Sequence, residues 1–152
     1  MTPFQLPRHA SSFNLKLRGF TLIELMVALV IVAILATVAL PAYTDYIVRG
    51  KIPDATSQLS ARQVQMEQFF QDNHTYVSAP ACAADTASSK YFDFSCAAGT
   101  SATAFSLQAV GKDTVAGFTY TVNQAGAKAT TAVPSGWTTS ATCWMTKKGG
   151  TC

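Results

Sequence analysis

Phe20-Thr21-Leu22-Ile23-Glu24-Leu25-Met26-Val27-Ala28-Leu29-Val30-Ile31-Val32-Ala33-Ile34-Leu35-Ala36-Thr37-Val38-Ala39-Leu40 carries a single charge, Glu24, and none from Leu25 onward. The run is apolar on every side of a helix rather than on one stripe, so it needs lipid or other helices all round. At about 1.5 Å per residue, the helix from Phe20 to Ala42 spans roughly 35 Å, enough to cross a bilayer. Arg8, Lys16 and Arg18 precede it, and the next cation is Arg49. That asymmetry predicts a cytoplasmic N-terminus.

Pro41 does not end the helical pattern. Beyond it, Tyr46, Ile47, Ile52, Ala55, Leu59, Val64, Met66, Phe69 and Phe70 recur at three- and four-residue steps, with Asp45, Arg49, Lys51, Asp54, Gln58, Arg62, Gln65 and Gln68 between them. This predicts an amphipathic helix with one packed stripe. Pro41 and Pro53 are expected to bend it, because each removes a backbone donor. Asp72-Asn73-His74 is the expected stop. The first half of the chain therefore reads as one helix of about 50 residues, apolar all round at first and then apolar on one side.

The second half reads differently. Residues 75–100 are small and polar, with Tyr76, Tyr91, Phe92 and Phe94 as expected packing anchors. Phe105, Leu107 and Ala109 alternate with Ser106 and Gln108. Phe118, Tyr120 and Val122 alternate next, then Asn123-Gln124-Ala125-Gly126 as a turn, then residues 127–133. That is a hairpin pattern in a small antiparallel sheet, with Trp137 and Trp144 on or near its faces. The fold class is α+β.

Charge and cysteines narrow the function. Arg8, Lys16 and Arg18 are the only charges in residues 1–19, and the remainder balances eight Lys+Arg against eight Asp+Glu. The net charge of +3 thus belongs to the leading segment and gives no support for a basic nucleic-acid-binding domain. Cys82, Cys96, Cys143 and Cys152 form no CxxC pair and lie far in sequence from His9 and His74, so zinc spacing is absent. An even count behind a membrane-targeting segment fits two disulfides in an oxidising compartment. Three connectivities are open. Cys82–Cys96 with Cys143–Cys152 is preferred, because short loops close at the least entropic cost.

The run Lys16-Leu17-Arg18-Gly19-Phe20-Thr21-Leu22-Ile23-Glu24-Leu25 resembles the class III signal of type IV pilins and the related pseudopilins. The strong resemblance covers about residues 16–50 and includes Pro41, Tyr43 and Tyr46. It implies cleavage by a prepilin peptidase between Gly19 and Phe20, N-methylation of Phe20, and assembly through the helix with Glu24 paired to a subunit's N-terminal amine. The implied layout is a leader at 1–19, a transmembrane and assembly half-helix at 20–42, and a globular head at 43–152. The implied partners are other pilin subunits in a helical filament, the peptidase, the inner membrane and the pilus assembly machinery. The chain would wait in the inner membrane and end in an extracellular pilus serving adhesion and twitching motility. Cys143-Trp144, the tail to Cys152, and Ala61-Arg62-Gln63 leading into Phe69-Phe70 are similar to minor pilins.

Physical reasoning supports the motif. Gly19 leaves the backbone open to a protease. Glu24 in an apolar helix costs on the order of 2.5–3.5 kcal/mol at mid-bilayer by insertion scales, so it calls for a partner. An ordinary secretory signal fits less well, because the apolar block exceeds about 7–15 residues and runs on into an amphipathic helix. A plain membrane anchor explains the hydrophobicity but not the Gly-Phe-Thr-Leu-Ile-Glu string.

Lys147 and Lys148 beside Trp144 suggest a DNA-contacting loop by analogy with competence pilins. Two lysines are more often a solvated loop, and DNA stands as the minor alternative. A type II secretion pseudopilin is the other alternative. Those proteins often use a calcium site, whereas no acid follows Asp113 here. No catalytic set, cofactor motif or metal site is read, and the chain is not taken for an enzyme.

Overall fold

A computed structural model describes residues 19–150. Helix α1 runs Leu22–Asn73 without interruption. It is followed by a short 3-10 turn at Pro80–Cys82, strands β1 (Phe92–Cys96) and β2 (Ser106–Gly111), a second 3-10 turn at Asp113–Val115, and strands β3 (Thr119–Asn123) and β4 (Lys128–Ala132). The chain divides between Ala39 and Leu40 into two compact units.

In the first unit α1 shows its apolar side chains on all sides. Leu22, Leu29, Ile34 and Val38 are each more than half exposed. Length and composition suffice for a membrane span. The helix begins at a cap: the Thr21 hydroxyl accepts from the Glu24 amide at 3.3 Å. Thr21 and Glu24 stand at the two ends of a Thr-x-x-Glu capping pattern, so part of the sequence motif is a helix-start signal.

Both prolines lie inside α1. Each is followed three residues later by a threonine that donates to its carbonyl, Thr44 to Pro41 at 2.9 Å and Thr56 to Pro53 at 3.3 Å. At the far end His74 takes φ 54°, and its amide donates back to Phe70 at 2.8 Å. A left-handed residue after Asn73 ends the helix where Asp72-Asn73-His74 predicts.

In the second unit the four strands form one antiparallel sheet in the order β1-β2-β3-β4. Register follows the alternation read from sequence: Leu107 pairs Val122 and Ala109 pairs Tyr120. One face carries Phe92, Phe94, Leu107, Ala109, Tyr120 and Val122, all buried. That face shares a core with Ile52, Ala55, Leu59 and Met66 of α1. Each sheet edge is closed by a single bridge, Asp85 to Phe94 and Thr130 to Ser140, which limits edge-to-edge pairing.

Three sequence expectations need correction. Tyr46 and Val64 are 73% and 57% exposed, so neither lies on the packed stripe. Arg62, read as an outward residue, lies on that stripe between Leu59 and Met66, with a side chain only 12% exposed. It is accommodated by an ion pair to Asp85, a donation to the Ala81 carbonyl, and the Phe94 ring 4.9 Å away. Strand β1 falls inside residues 75–100, a small and polar stretch with aromatic packing anchors in which the sequence reading assigns no strand.

Candidate functional site

Gly19 and Phe20 precede α1, and Phe20 is 82% exposed. A Cβ built on Gly19 would meet nothing within 4 Å, and no left-handed φ requires glycine there. The chain itself does not demand glycine at this point. Glu24 lies in the first turn of α1, where its charge also complements the helix dipole.

Cys82 and Cys96 form a disulfide that ties the first 3-10 turn to the end of β1. A loop of about 15 residues closed this way is worth roughly 3 kcal/mol in the chain-entropy model. Cys152, the expected partner of Cys143, lies outside the described residues, as does the leader before Gly19. The Asp85 carboxylate is held well below the usual range by hydrogen bonds from Ser88 and Ala87, with Arg62 adding to them. Burial and the neighbouring Glu67 raise the Tyr76 phenol.

The C-terminal segment packs against β3 and β4 through four bonds that involve side chains, beside the Thr130–Ser140 bridge. Thr130 donates to the Cys143 carbonyl at 2.9 Å and accepts from the Met145 amide at 2.8 Å. Tyr120 donates to the Met145 carbonyl at 2.8 Å. Burial pushes its phenol far above the usual range, so it stays a neutral donor. Trp144 donates from Nε1 to the Thr121 carbonyl at 2.8 Å.

This packing sorts the cations. Lys148 does not stand free beside Trp144: its Nζ pairs with Asp45 at 2.8 Å, fastening the segment to α1. The cation over the Trp144 ring is Lys128, 4.5 Å from its centroid. Sequence reading missed Lys128. The hairpin register held the clue, because Lys128 pairs Val122 next to Thr121. Lys112 pairs with Asp93, and Lys51 donates to Thr114 at 2.6 Å. Among the described residues Arg49, Lys51, Lys90, Lys128 and Lys147 are left without an acidic partner.

An open groove of about 500 Å³ lies beside Lys128, lined by Pro53, Thr56, Ser57 and Ser60 of α1 and by Cys143, Trp144 and Thr146. Among the described residues it contains one cation, one indole, several hydroxyls and no carboxylate. Among the described residues no cluster of His, Cys, Asp and Glu suits a metal.

Residues 41–121 match the profile of a family described as type IV minor pilin ComP, DNA uptake sequence receptor, and residues 15–40 match the prokaryotic N-terminal methylation motif. The fimbrial protein EcpC of Eikenella corrodens is 37% identical over 76 residues, covering 49% of this chain and 50% of that protein. The type IV major pilin protein PilA of Myxococcus xanthus is 39% identical over 66 residues, covering 43% of this chain and 30% of that protein. The chain thus spans half or less of the length of these relatives. The solved structure of the Neisseria meningitidis non-core minor pilin PilV aligns with a TM-score of 0.49 and 19% identity, over 59% of this chain and 91% of that one.

Proposed function

The chain belongs to the type IV minor pilin family of the DNA uptake sequence receptor ComP, and on that premise we propose that it is a minor pilus subunit that captures DNA at the bacterial surface. The observation that carries this reading is the match of residues 41–121 to that family. DNA, the minor alternative from charge alone, becomes the first candidate ligand. With the head formally neutral, binding rests on a few placed cations rather than on a broad basic field.

The route to the surface follows from the motif. Prepilin peptidase cuts after Gly19, Phe20 is methylated, and the head of 43–152 is carried by the half-helix of 20–42. Glu24 pairs with a subunit's N-terminal amine during extraction from the inner membrane by the assembly machinery. Pairing removes two charges that would each be penalised in an apolar filament core. Adhesion and twitching are secondary contributions of the same filament.

The test is a host strain lacking this chain. The expected phenotype is normal piliation with strongly reduced uptake of added DNA, restored by the intact gene. Unchanged uptake in a piliated mutant would overturn the DNA reading. A second reading, a major subunit, is favoured by the fimbrial and major-pilin names of the relatives. It predicts loss of pili in the same strain and an abundant methylated peptide beginning at Phe20 in sheared filaments.

A further inference from the structure

The family match ends at residue 121, before Lys128 and Trp144, so it does not say which residues meet DNA. We propose that the groove between α1 and the C-terminal segment is a phosphodiester subsite, in which the Lys128 ammonium, steadied over Trp144, takes a backbone phosphate oxygen of DNA. This rests on the DNA-receptor reading above and assigns its first contact.

Three observations converge on it. First, Lys128 is exposed and, among the described residues, has no acidic partner, yet its ammonium is placed 4.5 Å from the Trp144 centroid. A cation–π contact limits the conformations of a flexible lysine without neutralising it. Trp144 is in turn fixed by its bond to Thr121 at 2.8 Å. It acts as a positioning residue, holding a charge that would otherwise sweep through solvent.

Second, the surroundings suit an anion. Among the described residues no carboxylate lines the groove. The helix acid closest in sequence, Asp54, is turned away to accept from Ser89. Asp45, one turn earlier than Arg49, is occupied by Lys148 at 2.8 Å. Arg49 precedes Pro53 by one helical turn and shares its face by spacing.

Third, the groove supplies hydroxyls. The Ser57 and Ser60 hydroxyls donate to helix carbonyls at 3.1 and 2.8 Å. A hydroxyl rotor is free to turn to a better acceptor, and a phosphate oxygen is one. The groove has no paired donor and acceptor set of the kind that reads a base edge, so the subsite holds the sugar-phosphate backbone without regard to sequence.

The experiment is fluorescence anisotropy of the full chain in detergent micelles with labelled random-sequence duplex DNA, over a range of salt. Lys128→Gln should weaken binding about five- to tenfold and lower the slope of log affinity against log salt by about 1. Lys128→Arg should restore most of both. Lys90→Gln is the charge-matched control on another exposed loop, and it should change neither. If Lys128→Gln binds with unchanged affinity and slope, the subsite is wrong while the receptor reading stands. If Lys90→Gln loses as much, attraction is diffuse and the subsite is again wrong. If the unaltered chain binds no DNA, both readings fall.

Discussion

The Thr130 hydroxyl donates to the Cys143 carbonyl at 2.9 Å and receives the Met145 amide at 2.8 Å, so one side chain of β4 holds two points of the C-terminal segment. Thr130 is 1% exposed, and water does not replace these bonds. Thr130→Val keeps the shape but strands the half-buried Cys143 carbonyl and the buried Met145 amide. The expected loss is about 1–3 kcal/mol in urea unfolding, with faster tryptic cleavage after Lys147. Thr130→Ser keeps the hydroxyl and should lose much less. Unchanged stability in the valine variant would mean that Tyr120 and Trp144 hold the segment unaided.

Arg62 and Asp85 make the stability of the head sensitive to acid. Hydrogen bonds from Ser88 and Ala87, and then Arg62, lower the Asp85 pKa in the folded chain, while the unfolded chain titrates near the ordinary value of about 3.9. Between those two values the unfolded state binds more protons, so stability rises with pH there and is flat above it. The contribution is therefore complete above about pH 5 and fades as pH falls through 4 and below. Asp85→Asn should lower the melting temperature at pH 7 and lower it progressively less as pH falls from 4 toward 2. An equal effect across that range would show that the carboxylate charge is irrelevant.

Much of this architecture is legible in the sequence because burial writes itself as periodicity. Leu107, Ala109, Tyr120 and Val122 alternate cleanly, and the sheet follows. The long helix and its stop at Asn73 follow from the uninterrupted pattern and from Asp72-Asn73-His74. Strand β1 hides because only Phe92 and Phe94 are buried among short polar neighbours, and two aromatics do not make a period. Arg62 misleads because a charge on a packed stripe is masked until its distant partners Asp85 and Ala81 are known. Lys148 could not be placed from sequence, because its partner Asp45 comes from another element, and the hairpin register brings Lys128 beside Val122 without showing that Trp144 lies against it.

Gly111 ends β2 where the chain doubles back over the second 3-10 turn. A Cβ there would stand 2.0 Å from the Val115 carbonyl oxygen, a backbone atom that has no rotamer to yield. Gly111→Ala should destabilise the head by about 1–3 kcal/mol, as overpacking does. Gly99 has open space around it but a left-handed φ of 100°, so Gly99→Ala should cost about 1 kcal/mol through backbone conformation alone. Thermal unfolding of the two variants compares steric with conformational cost. A milder effect at Gly111 than at Gly99 would contradict the close approach.

Glu24 and Thr21 separate two meanings of the N-terminal motif. The Thr21 hydroxyl accepts from the Glu24 backbone amide, not from its carboxylate, at 3.3 Å. Glu24→Gln therefore leaves the cap in place and removes only the charge. Thr21→Ala removes the cap, at about 1 kcal/mol, and leaves the charge. If Glu24 serves assembly by meeting a subunit's amine, the glutamine variant should reach the inner membrane at normal levels and be missing from sheared filaments. The alanine variant should still be incorporated. Quantitative immunoblotting of membrane and filament fractions reads both. Normal incorporation of Glu24→Gln would remove the charge pairing from the assembly step, and exclusion of both variants would place the requirement in the start of the helix instead.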